Sequence, residues 1–287
     1  MAIIATLLTV AVIYVRGFRR VHAQMRARFP IWRLAAFLAG IGTLLIAVAS
    51  PLEAFDDVLL QVHMVQHLML MLVAPVLLLA GAPAIVLIRG IPPSIARTVL
   101  APMVKSRSIR RLFRWLTHPT VAWLAFAAAM WGWHLPAAFQ LALRSEASHA
   151  IEHGCFFTTA LMFWYPVVQP WPSVPRWPRW TMILYLLLAD GSNTILAALF
   201  MFSDRLIYPY YATAPRVAGI TPLNDQIMAG AIMWVPGSLF YLIPGALIMF
   251  RMLAPHTLSR PLAPVREFRN TSVTDLPVTD LAARPRA

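Results

Sequence analysis

Seven apolar runs, separated by polar loops, leave this chain few ways to fold. They are Ala2–Val15, Ile31–Ala49, Val58–Ile88, Thr120–Leu143, His149–Val168, Trp180–Phe202 and Gln226–Leu253. A hydrocarbon core of ~30 Å takes about 20 apolar residues per spanning helix. Within it, every backbone N–H and C=O has to be satisfied internally. The expected fold class is all-α: a polytopic membrane protein with a seven-helix transmembrane domain over residues 1–254 and a tail, 255–287, too rich in Pro, Arg, Thr and Asp to pack. Composition agrees, with 60% of residues hydrophobic and 12% charged, where a soluble domain carries about twice that charge. The first run is short enough for a signal peptide. Its arginines follow rather than precede it, however, and no cleavage site stands out, so it reads as a retained helix.

The formal charge of +13 raises the question of nucleic acid. The placement of the cations answers it, because they cluster in alternate loops. Arg16 to Arg33 follow the first run, Arg89 to Arg114 the third, Arg176 and Arg179 the fifth, and Arg251 to Arg286 the last. The other side receives only Arg144, Arg205 and Arg216. Charge distributed this way sets orientation and meets lipid headgroups. It predicts an outer N-terminus, a cytoplasmic basic loop over 89–118, a periplasmic loop over 203–225 and a cytoplasmic C-terminus. The partners implied are membrane lipids and not nucleic acid. Residues 89–118 read equally well as an interfacial amphipathic helix or as a basic loop needed only for topology. Cys155 is the one cysteine, so neither an internal disulfide nor a CxxC metal motif is available.

Against this background the stretch HMVQHLMLM (His63 to Met71) is out of place. His63 and His67 are four residues apart and share a helix face. His149 and His153 repeat that spacing, and His134 sits at matching depth in MWGWHLP. Five of the eight histidines thus belong to one leaflet, within two to three turns of the outer boundary at ~1.5 Å per residue. Buried polar groups are costly in lipid and mark function by default. Paired i,i+4 imidazoles are a metal-binding pattern, and no HExxH general base accompanies them. Met130, one turn before His134, and the methionines of the third run offer soft sulfur. Imidazole with thioether favours copper, Cu(I) above all, with zinc second. Met64, Met69 and Met71 are nevertheless read as packing filler, Cys155 as a packed thiol, and His22, His118 and His256 as interfacial residues.

Four polar residues accompany the histidines. Asp190 lies mid-membrane in the sixth run, with Asn193 one turn outward. Asp225 opens the last run, as a helix N-cap, as an acceptor orienting a ligand histidine or as a ligand itself. Glu152, beside His153, is placed to steer an imidazole.

Three segments together, SPLEAF…VHMVQHLMLMLVAPVLLLAGAP, MWGWHLPAAFQLAL…SHAIEHGCFFTTALMFWYPV and DQIMAGAIMW, resemble the membrane-integral cytochrome c oxidase assembly factors of the CtaG type, first associated with caa-type oxidases. The resemblance covers about residues 40–250. It implies a multi-pass protein of the bacterial inner membrane that matures a haem–copper oxidase and handles copper. The matching positions are His63, His67, His134, His149, His153 and Asp225; Asp190 and Asn193 are not carried over. An unrelated single-span copper chaperone shares the name, and the seven apolar runs exclude it.

The expected function is therefore non-enzymatic. Copper from a periplasmic donor would be held by the histidines and passed to a haem–copper oxidase subunit. The alternatives are an intramembrane zinc hydrolase using Asp190 or Asp225 as base, a haem-binding membrane cytochrome, and a transporter. The last would need a polar path through the inner halves of the spans, which show little besides Asp190.

Overall fold

The computed structural model describes residues 2–217 and 219–254; the tail from residue 255, with His256, lies outside them. The described chain is helical. In order it forms α1 (Ala2–Gln24), α2 (Ile31–Ala49), α3 (Leu60–Ala80), α4 (Pro83–Gly90), α5 (Pro93–Lys105), α6 (Arg107–Leu116), α7 (Pro119–Trp133), α8 (Pro136–Arg144), α9 (Glu146–Val168), α10 (Arg179–Met201), α11 (Tyr210–Thr213) and α12 (Pro222–Leu253). Five are long and apolar enough to cross a membrane: α1, α2 with its short 3₁₀ extension, α3, α10 and α12. A sixth is reached if α4 and α5, bent by 119° at their junction, count as one broken span. The protein is a multi-pass membrane protein.

Two of the seven expected runs come out differently, and proline is the reason in both. The third run breaks at Gly81–Ala82, where Ala82 takes a left-handed conformation (φ 51°) and Pro83 starts α4. The fourth run breaks inside WHLP. Pro136 pushes Leu135 into the extended region, so His134 closes α7 and α8 starts afresh. The fifth run is a continuous 23-residue helix, α9, whose apolar character is diluted by Glu146, His149, Glu152 and His153.

The pattern of burial is that of a membrane bundle. On α10, Leu184, Leu187, Leu188, Ile195 and Leu199 are each about half exposed, while Asn193 is buried. Apolar surface faces outward and polar groups face in, the reverse of a soluble helix. One core gathers side chains of α3, α7, α8, α9, α10 and α12; a second joins α1, α2, α3 and α4. In the second core, Gly17 of α1 and Gly90 of α4 let two backbones touch. A Cβ on Gly17 would collide with the Val86 carbonyl, and one on Gly90 with the Ile13 carbonyl. Small residues at such crossings are a membrane device.

Two contacts fix α3, one against α9 and one against α2. Pro75 has no N–H to donate to the Met71 carbonyl, and the helix widens into a π turn over Met69–Val73. Trp164 of α9 fills the gap, its Nε1–H donating to the Met71 carbonyl at 2.9 Å. Between α3 and α2, Gln66 donates from Nε2 to the Ala47 carbonyl at 2.9 Å. The basic segment after α4 is helical: α6 sets Arg107, Arg110, Arg111 and Arg114 against exposed Ile109, Leu112 and Phe113, the pattern of an interfacial helix.

Candidate metal centre

α3 and α9 begin at the same end of the bundle, and both put histidines in their first turns. On α3, His63 and His67 lie one above the other, ring centroids 4.3 Å apart. On α9, His149 and His153 do the same at 4.1 Å. The two pairs face each other, with His63 5.1 Å from His149 and 6.2 Å from His153, and His67 5.7 Å from His153. Glu152 completes the stripe on α9. Positions 149, 152 and 153 are i, i+3 and i+4, hence one face.

Two sets of three donors result. The ligand atoms of His63, His149 and His153 lie within 4.8 Å of one another, and so do those of His63, His67 and Glu152. A four-coordinate ion with bonds of ~2.0–2.1 Å holds its donors ~3.4 Å apart, so modest side-chain rotations would close either set. His63 belongs to both. His149 is 19% exposed, whereas Glu152 is fully buried.

Polar satisfaction is the sharper observation. Both ring nitrogens of His63 and of His67, Nε2 of His149 and of His153, and both Glu152 oxygens are buried without a hydrogen-bond partner. Glu152 stands 3.8 Å from His63 Nε2 and 3.7 Å from His67 Nε2, too far to hydrogen-bond. Native structures rarely leave buried polar groups unpaired. Eight such atoms on five residues fit a cation: neutral imidazoles supply lone pairs, and the carboxylate supplies charge that is otherwise costly in this environment.

His134 adjoins the cluster without entering either set. Its ring lies 5.6 Å from His67. Its Nδ1 contacts the Met130 carbonyl at 2.7 Å, so Nδ1 carries the proton and Nε2 is left as the lone pair, unpartnered and buried. Met130 thus fixes the tautomer through its backbone oxygen.

A family model described as cytochrome c oxidase caa3 assembly factor (Caa3_CtaG) matches residues 12–254. The chain belongs to the Caa3_CtaG family. It is also similar to proteins described only as uncharacterized. One from Mycobacterium bovis and one from Mycobacterium tuberculosis are each 25% identical over 233 residues, 78% of this chain and 34% of the relative. One from Mycobacterium leprae is 23% identical over 282 residues, 94% of this chain and 41% of the relative. The chain thus spans well under half the length of these curated relatives. No solved structure matches.

In this Caa3_CtaG member, Asp225 takes a role between two of the roles expected for it. It caps a helix, but not its own. From α12 its Oδ2 accepts from the Leu60 N–H at 2.6 Å and its Oδ1 from the Gln61 N–H at 3.1 Å, capping the helix that carries His63 and His67. Gln226, next in sequence, ties down the 203–221 loop. Its Oε1 accepts from the Ile207 N–H at 2.7 Å, and its Nε2 donates to the Arg205 carbonyl at 3.1 Å. That loop places two tyrosines beside the cluster. Tyr208 donates to the His134 carbonyl and Tyr211 to the Asp56 carbonyl, both at 2.8 Å.

Asp56 is the residue that sequence reasoning missed. Its carboxylate is buried, Oδ2 lies 3.8 Å from His149 Nε2, and that oxygen has no hydrogen-bond partner. Burial, and then the neighbouring Asp57 charge, push its pKa up to about 7. Nothing in SPLEAFDD distinguishes it locally, because the loop fold alone brings it to α9. Asn193 donates from Nδ2 to the Met233 carbonyl at 2.9 Å, and Gly237 makes room for it. Asp190 is outside both donor sets, with Oδ1 buried and unpartnered. Of the expected interfacial residues, His22 contacts the Phe29 carbonyl through Nδ1 and His118 packs on Trp177. Cys155 is half-buried and in neither donor set.

Proposed function

We propose that this protein binds copper at the His63–His67–His149–His153–Glu152 cluster, with His134 alongside, and delivers it to a subunit of a caa3-type haem–copper oxidase during assembly. The observation that carries the reading is Glu152: a fully buried carboxylate whose neighbours are imidazoles and which has no hydrogen-bonded partner. Imidazole-rich coordination suits copper, and the family supplies the oxidase. On this reading the basic loops are cytoplasmic, the cluster lies at the outer face of the bacterial cytoplasmic membrane, and α9 and the α7–α8 pair bring the spans to seven. Delivery then needs only ligand exchange, from an extracytoplasmic donor and on to the oxidase, so the role is not enzymatic. His149, the more exposed ligand, is where copper would first be met.

The test is the copper content of purified protein. His63→Ala and His153→Ala should each lose bound copper while the helical content stays that of wild type, and oxidase activity in cells carrying them should fall. Normal copper in both would overturn the reading. One observation favours a second metal: His63, His67 and Glu152 form a His₂Glu donor set, which is also a zinc set. As the base of a zinc hydrolase Asp225 is already engaged by two backbone N–H groups. Zinc rather than copper in the purified protein would select this alternative.

A further inference from the structure

A small cavity of about 20 Å³ lies against the cluster, with His67 in its wall. It is bordered by His67 and His134 and by four methionines, Met64, Met71, Met130 and Met233. They come from α3, α7 and α12, so methionines far apart in sequence border one cavity. All six side chains are buried. The volume is room for a single small occupant.

We propose that this cavity is a second metal site, selective for monovalent copper and distinct from the imidazole–carboxylate sets beside it. Three features carry the assignment. His134 brings an imidazole whose protonated Nδ1 is committed to the Met130 carbonyl, so Nε2 is a lone-pair donor with no other partner. The four thioethers are soft and neutral, on flexible side chains that re-orient at small cost. Among the described residues no acidic side chain borders the cavity, so a divalent ion there would hold two uncompensated charges in a low-dielectric interior. A soft monovalent ion fits best. His67 belongs both to the His63–His67–Glu152 set and to this cavity, so copper moves between the two by exchanging ligands around one imidazole. The copper arrives and stays as Cu(I), and no redox step is involved.

This site deepens the copper-handling reading and rests on it for the source of the ion, but the two are separable by experiment. The full chain is purified in detergent and saturated anaerobically with Cu(I), and ligand type is read by copper X-ray absorption. Wild-type protein should show sulfur as well as nitrogen scattering. The double variant Met130→Leu/Met233→Leu keeps volume and apolar character and removes two of the four thioethers; its sulfur signal should fall and about one equivalent of Cu(I) should be lost, since thioether is the preferred donor for that ion. Conversely, His149→Ala/Glu152→Gln should lose nitrogen-bound copper and keep the sulfur-bound ion. Saturated wild-type protein without sulfur scattering overturns the second site whatever the variants do. So does a methionine variant unchanged in stoichiometry and spectrum. If only the methionine variant loses copper, the second site stands and the delivery reading at the histidine cluster falls.

Discussion

Asp225 accepts a hydrogen bond from the backbone N–H of Leu60 at 2.6 Å, across 165 residues of sequence. The carboxylate thereby satisfies the first turn of the helix that carries His63 and His67, and it adds negative charge at the positive end of the helix dipole. Asp225→Ala should destabilise the detergent-solubilised protein by about 1–2 kcal/mol, the usual value of a lost N-cap. Because the histidines lie one and two turns further on, metal affinity should fall as well. A melting curve and a metal titration on the same preparation check both; an unchanged melting temperature would show that the cap contributes nothing.

Glu152→Gln should separate the metal-free and metal-bound proteins. Without metal, removal of a buried charge that has no partner is neutral or stabilising, so the melting temperature should hold or rise. With copper, the variant lacks the anionic donor and the gain on metal addition should shrink. Parallel thermal unfolding with and without copper reads this crossing. A variant stabilised by copper as much as wild type would remove Glu152 from the coordination sphere.

Trp164→Phe keeps an aromatic ring in place but takes away the donor to the Met71 carbonyl. An unsatisfied buried carbonyl costs about 1–3 kcal/mol, and the loss falls below the histidines rather than among them. The variant should melt earlier and retain its copper. Loss of copper in a well-folded Trp164→Phe protein would mean that the π turn positions the site directly.

Asp56 gives the metal-free protein a pH dependence. Its folded-state pKa of about 7 lies above the ordinary value of 3.8, so the folded state holds the proton more tightly than the unfolded chain. Its contribution to stability is complete below pH ~4 and is lost as the pH rises through about 7. Asp56→Asn cannot titrate. The stability of the variant relative to wild type should therefore rise from pH 4 to pH 8. A difference that stays flat over that range would contradict the shift.

The five histidines were legible because membrane helices tolerate few polar residues, and those that remain stand out at i,i+4 spacing. The structure brings four of them together and sets His134 beside His67. Glu152 was visible in HAIEH at i+3 from His149, but adjacency to His153 made it read as an orienting group rather than a donor. Asp56 was hidden because its placement depends on Tyr211, 155 residues away. Asp225 was recognised as a cap, but a local reading of sequence assigns a cap to the helix it begins. The breaks at Ala82 and Leu135 were written in Pro83 and Pro136, yet long apolar runs on either side masked them.

The extra residue accommodated between Met69 and Val73 also turns the helix. One residue is about 100° of rotation, so the portion of α3 after the widened turn presents a different azimuth from the portion before it. Before the turn the helix sets His63 and His67 toward α9 and Gln66 toward Ala47 of α2; after it, Leu78 packs on Gly40 of α2. With its phase offset midway, the helix lets its donor face and its scaffold face be tuned independently.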